Sequence, residues 1–258
     1  MQKLDANGLT EKEFLKRYCP ADFPRPSLTA DIVVFANSKA QDEGFQLPTD
    51  EALREAPSAT LDEAFGKVSG ATSGEAFGET LGKATGEATS EKLREEHEEH
   101  KELRVLLIRR GRHPYIGQWA LPGGFVNPDE TVEEAAQREL EEETGIRASC
   151  LRQLYAFSKP GRDPRAWVIT VAYLAFVNSD CLSVTAGDDA AEAQWFTLNA
   201  STASDGCIRL VLTHKDLRLA ACVKPVANSE EFQTIENDGL AFDHAEIIAR
   251  ALQTLCKT

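Results

Sequence analysis

The sequence predicts an α/β fold, with mixed strands and helices around a buried core. Three observations carry that expectation. Short apolar, β-branched runs recur along the chain, two later segments have the 3.6-residue apolar period of amphipathic helices, and a compositional break at residues 40–102 interrupts the series. Of the 258 residues, 42% are hydrophobic and 27% charged, which is ample for a core and incompatible with collagen-like or wholly disordered classes.

In chain order, Thr10-Glu11-Lys12-Glu13 has the T-x-x-E form of a capping box, in which threonine and glutamate each satisfy a free donor at a helix start. It opens a short helix ending near Tyr18. Apolar runs at residues 28–36 (LTADIVVFA), 103–109 (LRVLLIR), 151–157, 167–177 and 193–198 read as strands, with weaker ones at 208–213 and 217–223. The longest apolar stretch, VITVAYLAFV at 168–177, is about half of the roughly 20 residues needed to cross a bilayer as a helix, so it reads as a buried strand. Amphipathic helices are expected at 131–144 and at 243–255 (DHAEIIARALQTL).

The formal charge is −14, from 42 acidic and 28 basic residues. Such an excess argues against a nucleic-acid surface, which needs clustered Lys and Arg. Ten of those units fall inside residues 40–102, so most of the acidity is local. There glycine recurs every fourth residue from Gly66 to Gly86 among Ser, Thr, Glu and Lys. Six interior glycines would cost a helix on the order of 5 kcal/mol relative to alanine, so the segment is read as a low-complexity, disordered insert. It lies between two predicted strands and is expected to loop out as a hairpin extension. The N-terminus has no apolar signal segment, and the six widely spaced cysteines contain no C-x-x-C pair. Free thiols in a reducing cytoplasm are the expectation, with no membrane association.

The helix at 131–144 has the most chemistry. Thr131-Val132-Glu133-Glu134 is a second capping box, and Gly145 is placed to close the helix in a left-handed conformation. Val132, Ala135, Ala136 and Leu140 form an apolar stripe, while Glu139, Glu142 and Glu143, at i, i+3 and i+4, put three carboxylates on one face. Like charges at this spacing repel, and a divalent cation reverses that sign: carboxylate oxygens are hard ligands suited to Mg²⁺. Arg138 is within reach of Glu142 at i+4.

Residues 124–146, GFVNPDETVEEAAQRELEEETGI, satisfy every position of G-x5-E-x7-R-E-U-x-E-E-x-G-U, where U is a bulky aliphatic residue. The fixed residues are Gly124, Glu130, Arg138, Glu139, Glu142, Glu143 and Gly145, with Leu140 and Ile146 at the aliphatic positions. This resembles the Nudix box, and the lead-in GQWALPG at 117–123 is also similar to that family. The resemblance implies an α/β/α sandwich around a mixed sheet, one catalytic domain over residues 1–258, and hydrolysis of a nucleoside diphosphate linked to another moiety. It also implies that Glu139, Glu142 and Glu143 bind Mg²⁺ or Mn²⁺, with the Gly123 carbonyl as a further ligand, oriented by Arg138 and Glu130. Metal-activated water attacking phosphorus needs a carboxylate to take its proton. Glu142 is one choice for that base. The segment AGDDAAE at 186–192 offers Asp188, Asp189 and Glu192, and Glu192, three residues before Trp195, best matches the position where relatives bring a loop glutamate to the metals.

RPSLTAD at 25–31, GRDPR at 161–165 and LAFDH at 240–244 are similar to a bacterial branch containing ADP-ribose pyrophosphatases and Nudix-related regulators of NAD metabolism. By that resemblance Arg162 and Arg165 contact substrate phosphate or ribose. Their alternative is an ion pair with Asp163. His244 is either a binding-site residue or a helix residue packing on the sheet, the second being the expectation. Tyr115, Trp119 and Phe157 are either adenine-stacking or core aromatics. The implied activity is cleavage of ADP-ribose to AMP and ribose 5-phosphate. The alternatives are an ADP-ribose-sensing regulator without hydrolysis, or a hydrolase of a nucleotide sugar, diadenosine polyphosphate, NADH or oxidised nucleotide. The regulators append a basic winged helix, for which the residues after His244 leave no room, so hydrolysis without a nucleic-acid partner is expected. Related pyrophosphatases are commonly homodimers.

Overall fold

The computed structural model describes residues 6, 8–37, 103–178 and 190–256. The first helix, α1 (Glu11–Arg17), starts at the expected box: Thr10 accepts from the Glu13 N–H at 3.3 Å and the Thr10 N–H donates back to Glu13 at 2.9 Å. None of its residues is buried. A single 3₁₀ turn (Pro20–Asp22) leads into β1 (Ser27–Asn37), followed by β2 (Leu103–Arg110), β3 (Trp119–Ala120), β4 (Gly123–Phe125), α2 (Val132–Thr144) and β5 (Arg152–Phe157). Then come β6 (Val168–Asn178), β7 (Ala190–Thr202), β8 (Ile208–His214), β9 (Leu217–Pro225), β10 (Phe232–Asp238) and α3 (His244–Cys256).

These strands form one mixed sheet in the order β10-β9-β8-β7-β2-β1-β6-β5, with β3 beside β2 and β4 beside β1. Only β1 and β6 pair in parallel among the described strands, over eleven residues from Ser27↔Val168 to Asn37↔Asn178. The central strands have helices on both faces because their side chains alternate. Ala30, Ile32, Val34 and Ala36 of β1 and Leu106 of β2 pack with Ala135, Ala136 and Leu140 of α2. Val33, Phe35, Val105 and Leu107 point the other way, into a second core with Ile247, Ile248, Ala251 and Leu252 of α3. The architecture is the expected α/β/α sandwich. Leu140, fully buried, anchors α2 to the sheet; its truncation to alanine would cost about 2–5 kcal/mol.

Each predicted strand is present, most extended by one to three residues. β3, β4 and β10 were not legible in sequence. The first two span two and three residues, and β10 (FQTIEND) is mostly polar and carries a register shift between Thr234 and Glu236. Residues 40–102 lie outside the described residues. Their flanks are described: Asn37 pairs with Leu103 across the antiparallel β1–β2 ladder, so the segment joins two neighbouring strand ends.

Two expectations are corrected. Glu192 belongs to β7 and not to a loop, because the strand begins at Ala190 and Glu192 pairs with Arg109 of β2. Cys207 and Cys222 are joined by a disulfide, whereas free thiols were expected; they sit at the adjoining strands β8 and β9 with a Cα–Cα distance of 6.0 Å, within the range a disulfide spans. A sequence separation of 15 hides this proximity, which strand pairing creates. Cys19 and Cys150 are free and exposed. Among the described residues no helix is long and apolar enough to cross a membrane.

Candidate active site

The sheet and helix α2 meet at a cavity of about 400 Å³. Its walls come from β1 (Thr29, Asp31), the end of β2 (Arg110), the β3–β4 segment (Leu121, Gly123 to Phe125), α2 (Arg138, Glu139, Glu143), the segment before β6 (Arg162, Asp163, Arg165) and the entry to α3 (Phe242, His244).

Helix α2 forms as the sequence demands: Thr131 and Glu134 make the reciprocal cap, and Gly145 closes the helix at φ 71°. That places Glu139 and Glu143 against β4. Glu143 is 9% exposed and accepts from the Gly123 N–H at 2.9 Å. Burial, with the charges of Glu139 and Asp31, pushes its carboxyl up to about 8 against the pull of that N–H and of Arg110. Glu139 is also raised, chiefly by burial, against the opposing bond from Arg138. The two glycines make this approach possible. A Cβ on Gly124 would fall onto the Glu139 carboxylate, and one on Gly123 would meet the Ala30 carbonyl and lie 2.7 Å from Asp31 Oδ1.

Arg138 organises the neighbouring acids. Its Nε and Nη2 bond Glu130 at 3.0 and 2.7 Å, and Nη1 bonds Glu139 Oε1 at 2.7 Å and Glu142 Oε2 at 3.0 Å. Glu130, which also accepts from the Asn127 N–H, is pulled down to about 2, first by its bond to Arg138. Arg138 and Glu130, paired by the resemblance in the sequence, are in direct contact. Glu142 differs from its two partners on the helix in being 59% exposed; like Glu139 it is held by Arg138. Among the described residues no three His, Cys, Asp or Glu side chains converge as a ready ligand group. The donor chemistry nevertheless suits a divalent cation. Glu139 and Glu143 are hard oxygen donors brought together at a glycine-cleared wall, and burial raises both, with the charges of neighbouring acids adding to it.

Asp31 was not singled out in sequence, although a lone acid inside the apolar run LTADIVVFA was a usable signal. It is 8% exposed, accepts from Thr170 Oγ1 at 2.7 Å and lies 3.7 Å from Arg162; burial raises its carboxyl despite both partners. Arg162, with only 4% of its side chain exposed, bonds Asp243 through Nε at 2.8 Å and Nη2 at 2.7 Å. Its close partner is therefore Asp243, not the sequence neighbour Asp163. Arg165 takes Asp163, with Nη2 at 2.6 Å, and its guanidinium lies 5.0 Å from the centre of the Phe125 ring. Burial would raise Asp163, but the bonds from Arg165 hold it below its ordinary value.

His244, the first residue of α3, is buried and lines the cavity. Its Nδ1 accepts from the Leu121 N–H at 2.8 Å, so the ring proton sits on Nε2. Burial first, then the charges of Arg162 and Arg110, push its pKa down to about 3 and keep it neutral. Glu192 is outside the cavity wall; it accepts from Gln194 Nε2 at 3.1 Å and faces Arg109 at 3.9 Å. Asp188 and Asp189 lie outside the described residues. Trp119 and Phe157 are core residues on the α3 side of the sheet, while Tyr115 is 37% exposed.

A family profile described as "NUDIX domain" matches residues 93–209. An ADP-ribose pyrophosphatase from Methanocaldococcus jannaschii is 48% identical over 99 residues, covering 38% of this chain and 57% of that protein. The chain thus spans little more than half the length of that relative. The nucleoside triphosphatase NudI from an Enterobacter species is 37% identical over 118 residues, covering 41% of this chain and 82% of that protein. The crystal structure of a MutT/nudix family protein from Enterococcus faecalis is similar with a TM-score of 0.57 and 31% identity, over 94% of this chain and 68% of that one.

Proposed function

The chain belongs to the Nudix family, and from that premise we propose that it is a divalent-metal-dependent pyrophosphohydrolase cleaving ADP-ribose to AMP and ribose 5-phosphate. One observation carries the reading: a single cavity holds Glu139 and Glu143 together with Arg110, Arg138, Arg162 and Arg165. Buried carboxylates need a cation and guanidiniums bind phosphate oxygens, and a metal-bound diphosphate meets both requirements. The likeness to the M. jannaschii pyrophosphatase supports ADP-ribose as the substrate.

In this reading Glu139, Glu142 and Glu143, with the Gly123 carbonyl, hold Mg²⁺ or Mn²⁺. When bound, the metal neutralises charge on the diphosphate and acidifies water. Arg138 keeps Glu139 and Glu142 oriented, anchored in turn by Glu130. Glu142 is the most exposed of the three and lies outside the cavity wall, but Arg138 ties it to Glu139, and it is the proposed proton acceptor; Glu192, on β7 and facing Arg109, is not carried forward. Arg165 is the better placed of the two predicted substrate arginines, being 40% exposed, whereas Arg162 shapes the wall through Asp243.

The test is a product-resolved screen of nucleoside diphosphate derivatives with and without Mg²⁺ or Mn²⁺. Metal-dependent AMP and ribose 5-phosphate from ADP-ribose are expected. No AMP from ADP-ribose, alongside cleavage of another substrate, would overturn the substrate assignment, and binding of ADP-ribose without turnover would favour a sensor instead.

A further inference from the structure

A second cavity, of about 420 Å³, lies at the opposite end of β2 from the first. Arg104 belongs to its wall and Arg110 to the wall of the first, and the rise of a strand puts about 20 Å between them. Sheet register assembles the rest. Thr197 of β7 pairs with Arg104 on one side and with Thr213 of β8 on the other, so the three side chains share a face, and Trp195 joins them two residues away on β7. Beyond Thr213 the chain turns back into β9 at Lys215, φ 50°, which adds His214 and Lys215 to the wall.

This cavity is rich in donors and poor in acceptors. No aspartate or glutamate belongs to its wall, although acids outnumber bases by 42 to 28 in the chain. Lys215 is exposed and forms no ion pair among the described residues, and the hydroxyls of Thr197 and Thr213 make no hydrogen bond among them. His214 donates from Nδ1 to the Trp195 carbonyl at 2.9 Å, and Gln194 gives its amide N–H to Glu192. Trp195 itself is 8% exposed, yet its indole Nε1 is buried without a hydrogen-bond partner. An indole N–H can only donate, and a buried donor left without an acceptor is costly. An anion built of oxygen acceptors answers both the unused N–H and the ammonium group of Lys215.

We propose that this cavity is an oxyanion site for a phosphate group, separate from the diphosphate cavity, in which Arg104 and Lys215 supply the positive charge and the Trp195 N–H and the two threonine hydroxyls bond the oxygens. The test follows the indole N–H resonances of the isotope-labelled, metal-free full chain by NMR during titration with inorganic phosphate. Trp119 and Trp167 provide internal references, and the Trp195 resonance is identified by its loss in Trp195→Phe. That resonance should shift downfield and saturate, and Lys215→Gln should raise the half-saturating concentration about tenfold, the scale of one charge-assisted hydrogen bond. Arg165→Ala, which alters the first cavity and not the second, should leave the curve unchanged. Ribose 5-phosphate as a second probe separates the sources: a site for phosphate esters gives the same shift with it, and a site for free phosphate gives the shift with the inorganic ion alone. No saturable shift at Trp195, an unchanged curve in Lys215→Gln, or loss of the shift in Arg165→Ala would overturn the assignment. Should Trp195→Phe fail to fold, Lys215→Gln, on an exposed turn, still decides the matter, because one of the three indole resonances alone should change its curve.

Discussion

The Arg162 guanidinium and the Asp243 carboxylate form a two-point bond, 2.8 and 2.7 Å long, that ties the segment before β6 to the start of α3 across 81 residues of sequence. It holds the entry to α3, where Phe242 and His244, both lining the cavity, flank Asp243 in the chain. Burial lowers the Arg162 pKa, yet the Asp243 bonds outweigh it and the group stays cationic above its ordinary value.

Removing one partner of this pair leaves a buried uncompensated charge. Arg162→Met is expected to destabilise the fold by about 3–5 kcal/mol, and the double variant with Asp243→Leu by less than the sum of the single changes. Urea denaturation of the four proteins measures the coupling; additive effects would show that the pair is not a unit.

Gly123 and Gly124 should separate stability from activity. At Gly123 a Cβ meets backbone, so Gly123→Ala is expected to lower the melting temperature clearly. At Gly124 it meets only the end of the Glu139 side chain and no backbone, so Gly124→Ala should melt closer to the unaltered protein than Gly123→Ala yet lose about tenfold or more in kcat. Thermal melts beside ADP-ribose turnover decide this, and similar melting losses in both variants would contradict it.

Glu143→Gln should remain folded and lose on the order of 100-fold in turnover, about 3 kcal/mol of barrier. The same variant tests the pH dependence of the metal-free protein. A carboxyl raised from 4.5 to about 8 on folding holds its proton in the folded state longer than in the unfolded one. Its stabilising contribution is complete below pH 4.5 and is lost as pH rises through 8. Asp31 and Glu139 are raised and act in the same direction. Metal-free protein should therefore weaken from pH 5 to 8 and regain stability with Mg²⁺, and Glu143→Gln should flatten the slope; identical pH profiles for the two proteins would refute this.

Deletion of residues 44–99 should preserve the fold, because the strand ends that the segment joins are already paired at Asn37 and Leu103. Nine residues would remain between them, enough for a hairpin loop. An unchanged melting temperature and circular dichroism spectrum are expected, and an insoluble product would contradict them.

Local chemistry made much of this legible. Thr131, Glu134 and Gly145 specify the ends of α2 through short-range bonds, and the spacing of Glu139, Glu142 and Glu143 is a property of helical geometry alone. Strands β1, β2 and β6 were readable because central strands are apolar on both faces. β3, β4 and β10 were not, since their pairing is imposed by neighbouring strands and not by their own composition.

The sequence by itself determined the α/β class, the glutamate helix with its caps, and the placing of Arg138 and Glu130 within one continuous motif. Tertiary structure alone decided the rest: Asp31 beside Gly123, Arg162 with Asp243, Cys207 with Cys222, His244 under Leu121, and Glu192 on β7 away from the cavity. The reason is range. A helix sets contacts three or four residues apart whatever surrounds it, whereas these partners meet only after strand order and sheet register bring distant segments together, and neither is encoded in any local spacing.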